Sequence, residues 1–237
     1  MPTGHSAGQP GGTGDAATEP IAGLSPGTTL LVAGPPMIGK YDLALEVLGV
    51  GNAAGESGVV VSTRGDERAV IDDYARTVPE FDPSMLGVVE CVSGTRSGGT
   101  EVTEDGVRVR RAGSPADLTG VGIGASELMQ EFDAAGSEGV RLAMDSLATV
   151  LMYADFERVC RFLHVLSGRI VQARGVGLFV INPATVDASQ YDQLKTLFDG
   201  LVELRETEAG REYRVRGLRG ATREWREYVP PGEVPGT

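Results

Sequence analysis

Gly34-Pro35-Pro36-Met37-Ile38-Gly39-Lys40-Tyr41 is the stretch that decides the reading of this chain. It spells Gly-x4-Gly-Lys, the signature of a loop that wraps phosphate in backbone amides, with tyrosine where Ser or Thr usually follows the lysine. Composition alone yields about 0.04 such matches here, because Lys40 is one of only two lysines. The flanks suit the motif. Thr28 to Ala33 reads as a buried strand, and Asp42 to Val47 starts an amphipathic helix. The positive end of that helix and the Lys40 ammonium both favour an anion. Gly34, Met37, Ile38, Gly39, Lys40 and Tyr41 are the candidate nucleotide-binding residues. Pro35 and Pro36 lack N–H groups but lie ahead of the Met37 to Tyr41 amides.

Working outward, short apolar runs alternate with helical periodicity. Gly58 to Ser62, Gly87 to Val92, Arg141 to Ser146 and Gly177 to Asn182 read as strands. Helices are predicted from Asp66 to Arg76, Ile123 to Ala135, Asp155 to Arg174 and Gln190 to Phe198, with Asp66 and Asp155 as N-caps. Between Ser93 and Pro115 the spacing predicts a β-hairpin excursion around Glu104-Asp105-Gly106, one arm acidic and the other carrying Arg108, Arg110 and Arg111. Leu201 to Arg205, Glu212 to Leu218 and Glu224 to Val229 are three further strand-like segments. The fold class is therefore α/β, a mostly parallel central sheet covered on both faces with antiparallel strands at the C-terminal end. Residues 1–22 read as a disordered Gly-rich tail, 23–229 as one nucleotide-binding domain and 230–237 as a C-terminal tail.

Composition narrows the function. The hydrophobic share of 41% supports a sizeable core, and no apolar run is long enough to span a membrane. The polar start carries no secretory pattern, so a cytoplasmic location is expected. The formal charge is −12, and the 21 basic residues include only the two lysines. Such an acidic, lysine-poor surface suggests a halophilic protein adapted to molar salt. It also argues against nucleic acid as a partner, since that affinity comes mainly from neutralising phosphates. Cys91 and Cys160 are far apart in apolar contexts and read as reduced structural thiols. His5 and His164 do not make a metal site.

Two strand ends complete the candidate site. Asp145 closes a hydrophobic strand, where an acidic residue helps hold Mg²⁺ in P-loop proteins. Asn182 closes the next strand, at the edge where open α/β sheets bind ligands. Its amide either senses the outer phosphate or only starts an Asn182-Pro183 turn.

Together with Gly23-Leu24-Ser25-Pro26-Gly27, Met144-Asp145-Ser146-Leu147, Asp155 to Leu166 and Arg219-Gly220, these residues give a chain that resembles the KaiC-like ATPases of the RecA superfamily. That family includes circadian-clock and gas-vesicle regulators, and the likeness spans roughly residues 23–229. The resemblance implies a RecA-like three-layer core, ATP as ligand with Mg²⁺, and assembly with a protein partner or as a homo-oligomer. Departures accompany it. Tyr41 replaces the hydroxyl residue that ligates the metal. Ser62-Thr63-Arg64-Gly65 stands where the family carries the glutamates that activate water. Asp66 and Glu67 follow late as weak catalytic candidates, and Arg219 is a candidate for reaching a neighbour's phosphate. A missing base costs about 10²–10⁴-fold in rate.

The expectation is an ATP-binding regulatory protein with slow or absent hydrolysis that signals its nucleotide state to a protein partner. The alternatives are an active Mg-dependent ATPase and a pseudo-ATPase scaffold. Leu151-Met152-Tyr153 reads either as a partner surface or as inward packing. A DNA-binding role is disfavoured, because residues 148–155 and 183–190 contain no Lys or Arg.

Overall fold

The computed structural model describes residue 21 and residues 23–221 and 223–233. The sheet begins with β1 (Thr29–Ala33), which passes through the loop into α1 (Lys40–Ala53). Then follow β2 (Ser57–Ser62), α2 (Glu67–Thr77) and β3 (Leu86–Glu90). A hairpin of β4 (Glu101–Val102) and β5 (Arg108–Arg111) precedes α3 (Leu118–Ala134) and β6 (Val140–Asp145). Two helices, α4 (Leu147–Tyr153) and α5 (Phe156–Gln172), lead to β7 (Val176–Ile181). The chain ends with α6 (Ala188–Lys195), β8 (Gly200–Thr207), β9 (Gly210–Arg216) and β10 (Arg226–Glu227).

All ten strands form one sheet in the order β10-β9-β8-β1-β7-β6-β2-β3-β5-β4. The seven from β8 to β5 are mutually parallel, and the three at the margins are antiparallel. Strand alternation divides the core into two layers. Leu31, Val61, Leu142, Met144, Phe179 and Ile181 face α3, α4 and α5, whereas Leu30, Val32, Val60, Ala143, Leu178 and Val180 face α1 and α2. Each helix supplies an apolar stripe to its side: Val159, Phe162, Leu163, Leu166 and Ile170 of α5 are all buried. This is the RecA-like α/β architecture with C-terminal antiparallel strands that the sequence predicts.

Several expectations change in detail. The hairpin forms, but β5 is no excursion: it pairs with β3 in parallel, and buried Val107 and Val109 anchor it to the core. Its arginines mostly look away from the acidic arm. Arg111 meets Glu101, while Arg110 reaches Glu127 and Arg108 approaches Glu131 on α3. α3 starts at Leu118, five residues before the predicted start at Ile123, because Asp117 caps it at the Gly120 amide (2.9 Å). Glycines obscured that turn, yet Gly124 has a packing reason: a Cβ there would lie 3.3 Å from Val89 and from Arg110. Helix α4 was not foreseen. Asp155 holds the N-cap position of α5 without a side-chain capping bond.

Of the expected N-terminal tail, residues 1–20 and 22, with His5, lie outside the described residues. Ile21 is fully buried in the α1–α2 layer, so packing starts before residue 23. Residues 234–237 also lie outside the described set. Residues 230–233, expected in the C-terminal tail, pack: Pro230 is buried and Glu233 pairs with Arg211 at 2.9 Å. Cys91 is buried, with its thiol pushed up to about 12 by desolvation, whereas Cys160 is only half-buried. Among the described residues, no three His, Cys, Asp or Glu side chains gather to hold a metal, and no helix is long and apolar enough to cross a membrane.

Candidate functional site

The carboxyl ends of β1, β7, β6 and β2 lie side by side along one sheet edge. They deliver the 34–41 loop, Asn182, Asp145 and the Thr63-Arg64 turn respectively. Register fixes the neighbours: Ser62 is level with Asp145 on one side and with Glu90 on the other.

The loop has the backbone that its glycines require. Gly39 sits at φ 93° as the N-cap of α1, and Met37 adopts φ 57°, an uncommon conformation for a residue with a side chain. Gly34 lets the loop leave β1 against β8: a Cβ there would meet the Leu204 carbonyl at 2.9 Å. No side chain caps α1, so its first amides remain available to an anion. Ile38 is buried, Met37 is exposed, and Lys40 is buried with its ammonium donating to the Pro35 carbonyl. Desolvation lowers the Lys40 pKa to about 8, against an opposing pull from Asp145.

The loop is also held from outside. The Tyr228 hydroxyl donates to the Gly39 carbonyl (3.2 Å) or to Glu46 Oε1 (3.1 Å), and a Cβ on Gly39 would strike the Tyr228 ring at 2.8 Å. Tyr228 is buried beside Tyr213, so the strap after β10 forms one wall of the loop.

Asp145 is buried and already engaged. Arg64 grips its Oδ2 through Nε (2.9 Å) and Nη2. Burial raises the Asp145 pKa, and the Arg64 guanidinium offsets part of that rise. Thr63 ties the two strand ends together: its Oγ1 donates to the Asp145 carbonyl (3.0 Å) and accepts from the Ser146 amide (2.8 Å). The Asp145–Ser146 peptide is cis. Ser62 Oγ donates to the Gly65 carbonyl (2.7 Å) and accepts from its amide (3.1 Å), closing the turn that carries Arg64.

The remaining candidates have partners that define their settings. Asp66 caps α2 at the Ala69 amide (2.9 Å), and Glu67 accepts from Arg111 (2.7 Å). Either carboxylate would give up that partner to orient a water. Asn182 Oδ1 accepts from the Ala184 amide (3.1 Å), the geometry of the Asn-Pro turn. Arg219 is exposed in the turn after β9. Tyr41 is partly buried, and desolvation with the nearby Asp145 charge raises its pKa, so the phenol stays neutral.

Mg²⁺ does not fit this donor set as arranged. A rigid phenol replaces the short hydroxyl beside Lys40, and the strand-end carboxylate has a guanidinium on it. Four contributors have no role in the sequence reading: Arg64, Thr63, Tyr228 and Glu90. Glu90 is fully buried and binds the Val92 and Ser93 amides and the Ser93 hydroxyl (2.6 Å). An apolar strand ending in glutamate was the available signal.

Comparison with known proteins gives the family. Residues 27–204 match the family described as "Family of unknown function (DUF7504)". The chain belongs to the DUF7504 family. No curated protein matches the sequence. Among solved structures, the fold is similar to the crystal structure of a KaiC-like protein from the hyperthermophilic archaeon Pyrococcus horikoshii. The TM-score is 0.58 at 15% identity, covering 85% of this chain and 83% of that one. At that identity the likeness concerns the fold, and it agrees with the RecA-like sheet order of this DUF7504 chain.

Proposed function

We propose that this protein binds ATP at the 34–41 loop and reports its nucleotide state to a protein partner, with slow or absent hydrolysis. The observation that carries the reading is Lys40, buried at the uncapped N-terminus of a 14-residue helix behind a Gly39 held at φ 93°. A buried ammonium whose only acceptor among the described residues is a carbonyl gains from an incoming phosphate. Slow chemistry is supported by the other strand ends, where Asp145, Asp66 and Glu67 each already have a protein partner.

Signalling has a short route. Helix α4 starts two residues after Asp145 and ends with Met152 and Tyr153 largely exposed, while Leu151 packs against the core. Movement at Asp145 would shift this exposed pair directly. A second copy of the chain is an alternative recipient, and the acidic surface speaks against nucleic acid in that role. The halophilic reading rests on composition.

Calorimetric titration of ATP in molar KCl tests the reading. The wild type should bind, and Lys40→Ala should lose at least about a hundredfold in affinity, the scale of one or two charge-assisted hydrogen bonds. Equal binding by both proteins would refute it.

A further inference from the structure

The loop and Asp145 sit on one edge, yet the charge between them is supplied by the protein itself. Arg64 uses Nε and Nη2 on one Asp145 oxygen, and Nη1 has no protein partner among the described residues. Its side chain is 60% exposed, whereas that of Asp145 is 7% exposed. Thus one edge of the guanidinium covers the buried carboxylate and the other remains open to an incoming group. The position is built rather than incidental. Ser62 closes the turn on both sides of Gly65, and Thr63 pins the Asp145 backbone, so carboxylate and guanidinium are held from two strands. Lys40 belongs to the same cluster, since it feels both Asp145 and Arg64.

A divalent cation in a P-loop site neutralises phosphate oxygens while resting on a strand-end carboxylate. Arg64 already rests on that carboxylate, and a guanidinium pairs with phosphate oxygens through two parallel donors. We propose that Arg64 is a built-in replacement for the metal, so that this site takes a nucleoside triphosphate free of Mg²⁺. The outer phosphates lie between Lys40, the first amides of α1 and the open edge of Arg64. Tyr41 is then consistent, because no metal needs a hydroxyl there. This inference rests on the nucleotide-binding reading above and specifies the ionic form of the ligand.

The test is ATP titration in EDTA and in excess Mg²⁺ for wild type, Arg64→Ala, and Arg64→Ala combined with Asp145→Asn. The double variant removes the carboxylate charge that Arg64→Ala leaves buried, and circular dichroism checks that each variant folds. Wild type should bind in EDTA and bind more weakly in excess Mg²⁺, which leaves little of the nucleotide free of metal. Arg64→Ala should weaken by about tenfold to a hundredfold in EDTA and recover in Mg²⁺, as the freed Asp145 accepts the metal. The double variant should weaken without recovery. Wild-type binding that appears only with Mg²⁺, or an Arg64→Ala protein that binds normally in EDTA, would overturn the role of Arg64 and leave nucleotide binding standing. No binding by wild type in either buffer would remove the nucleotide reading itself.

Discussion

The loop after β1 and the loop after β2 lie along one sheet edge but are built for different tasks. The first, on the proposed reading a phosphate cradle, is made of backbone, one buried lysine and an uncapped helix end. The second is a closed electrostatic unit, in which Arg64 covers Asp145, Glu67 is tied to Arg111, and Asp66 is spent on capping α2. Binding an anion needs only the first. Cutting a phosphoanhydride needs the second to hold a metal and a water, and here it holds neither ligand set free. The difference teaches that a P-loop states what a site can grip, while the neighbouring strand ends state what it can do.

Glycine substitutions probe this contrast most strongly. Gly39→Ala forces a side chain onto φ 93° and into the Tyr228 ring, at 2.8 Å, and Pro230, at 3.1 Å. It should cost about 2–3 kcal/mol and lower Tm by roughly 5–10 °C, with ATP affinity lost alongside. Gly65→Ala in the other loop lies outside the left-handed region, and its Cβ would meet the Ala69 Cβ at 3.1 Å and the Ser62 Oγ at 3.9 Å. It should cost less than about 1 kcal/mol. Thermal melts of the two variants check the pair, and equal losses would mean that the loops are not differently constrained.

A smaller effect separates the two cations. Lys40 titrates at about 8 because burial penalises its charge, whereas the Arg64 guanidinium stays charged throughout. At about pH 7 Lys40 is protonated before and after binding. At about pH 9 the free protein has lost that proton and the phosphate restores it, so binding takes up a proton. Affinity should fall by up to about tenfold per pH unit above pH 8. Calorimetry in buffers of different ionisation enthalpy reads the uptake, and Lys40→Ala should abolish it.

Much of the fold was legible because its signals are local. The β-branched runs at Val59-Val60-Val61 and Val88-Val89, the α5 stripe and the Gly-Lys loop each carry their own period or motif. The closure of the second loop was not legible. The sequence shows Arg64 in place of the family's glutamates, but its grip on Asp145 spans 81 residues and follows from β2 and β6 being neighbours. The Tyr228 wall spans 189 residues, and no local pattern announces it. Helix α4 was hidden because its seven residues are too few to show a period. The α3 boundary was hidden by Gly120 and Gly122, which weaken the helical signal between Leu118 and the predicted start at Ile123.

On the proposed reading the site grips a nucleotide without cutting it. A single-turnover experiment with radiolabelled ATP, Mg²⁺ and excess protein tests it most directly. ATP bound in a Lys40-dependent manner should be recovered intact long after binding is complete. Prompt release of phosphate that Lys40→Ala abolishes would contradict it, and would mean that Arg64 leaves Asp145 during turnover.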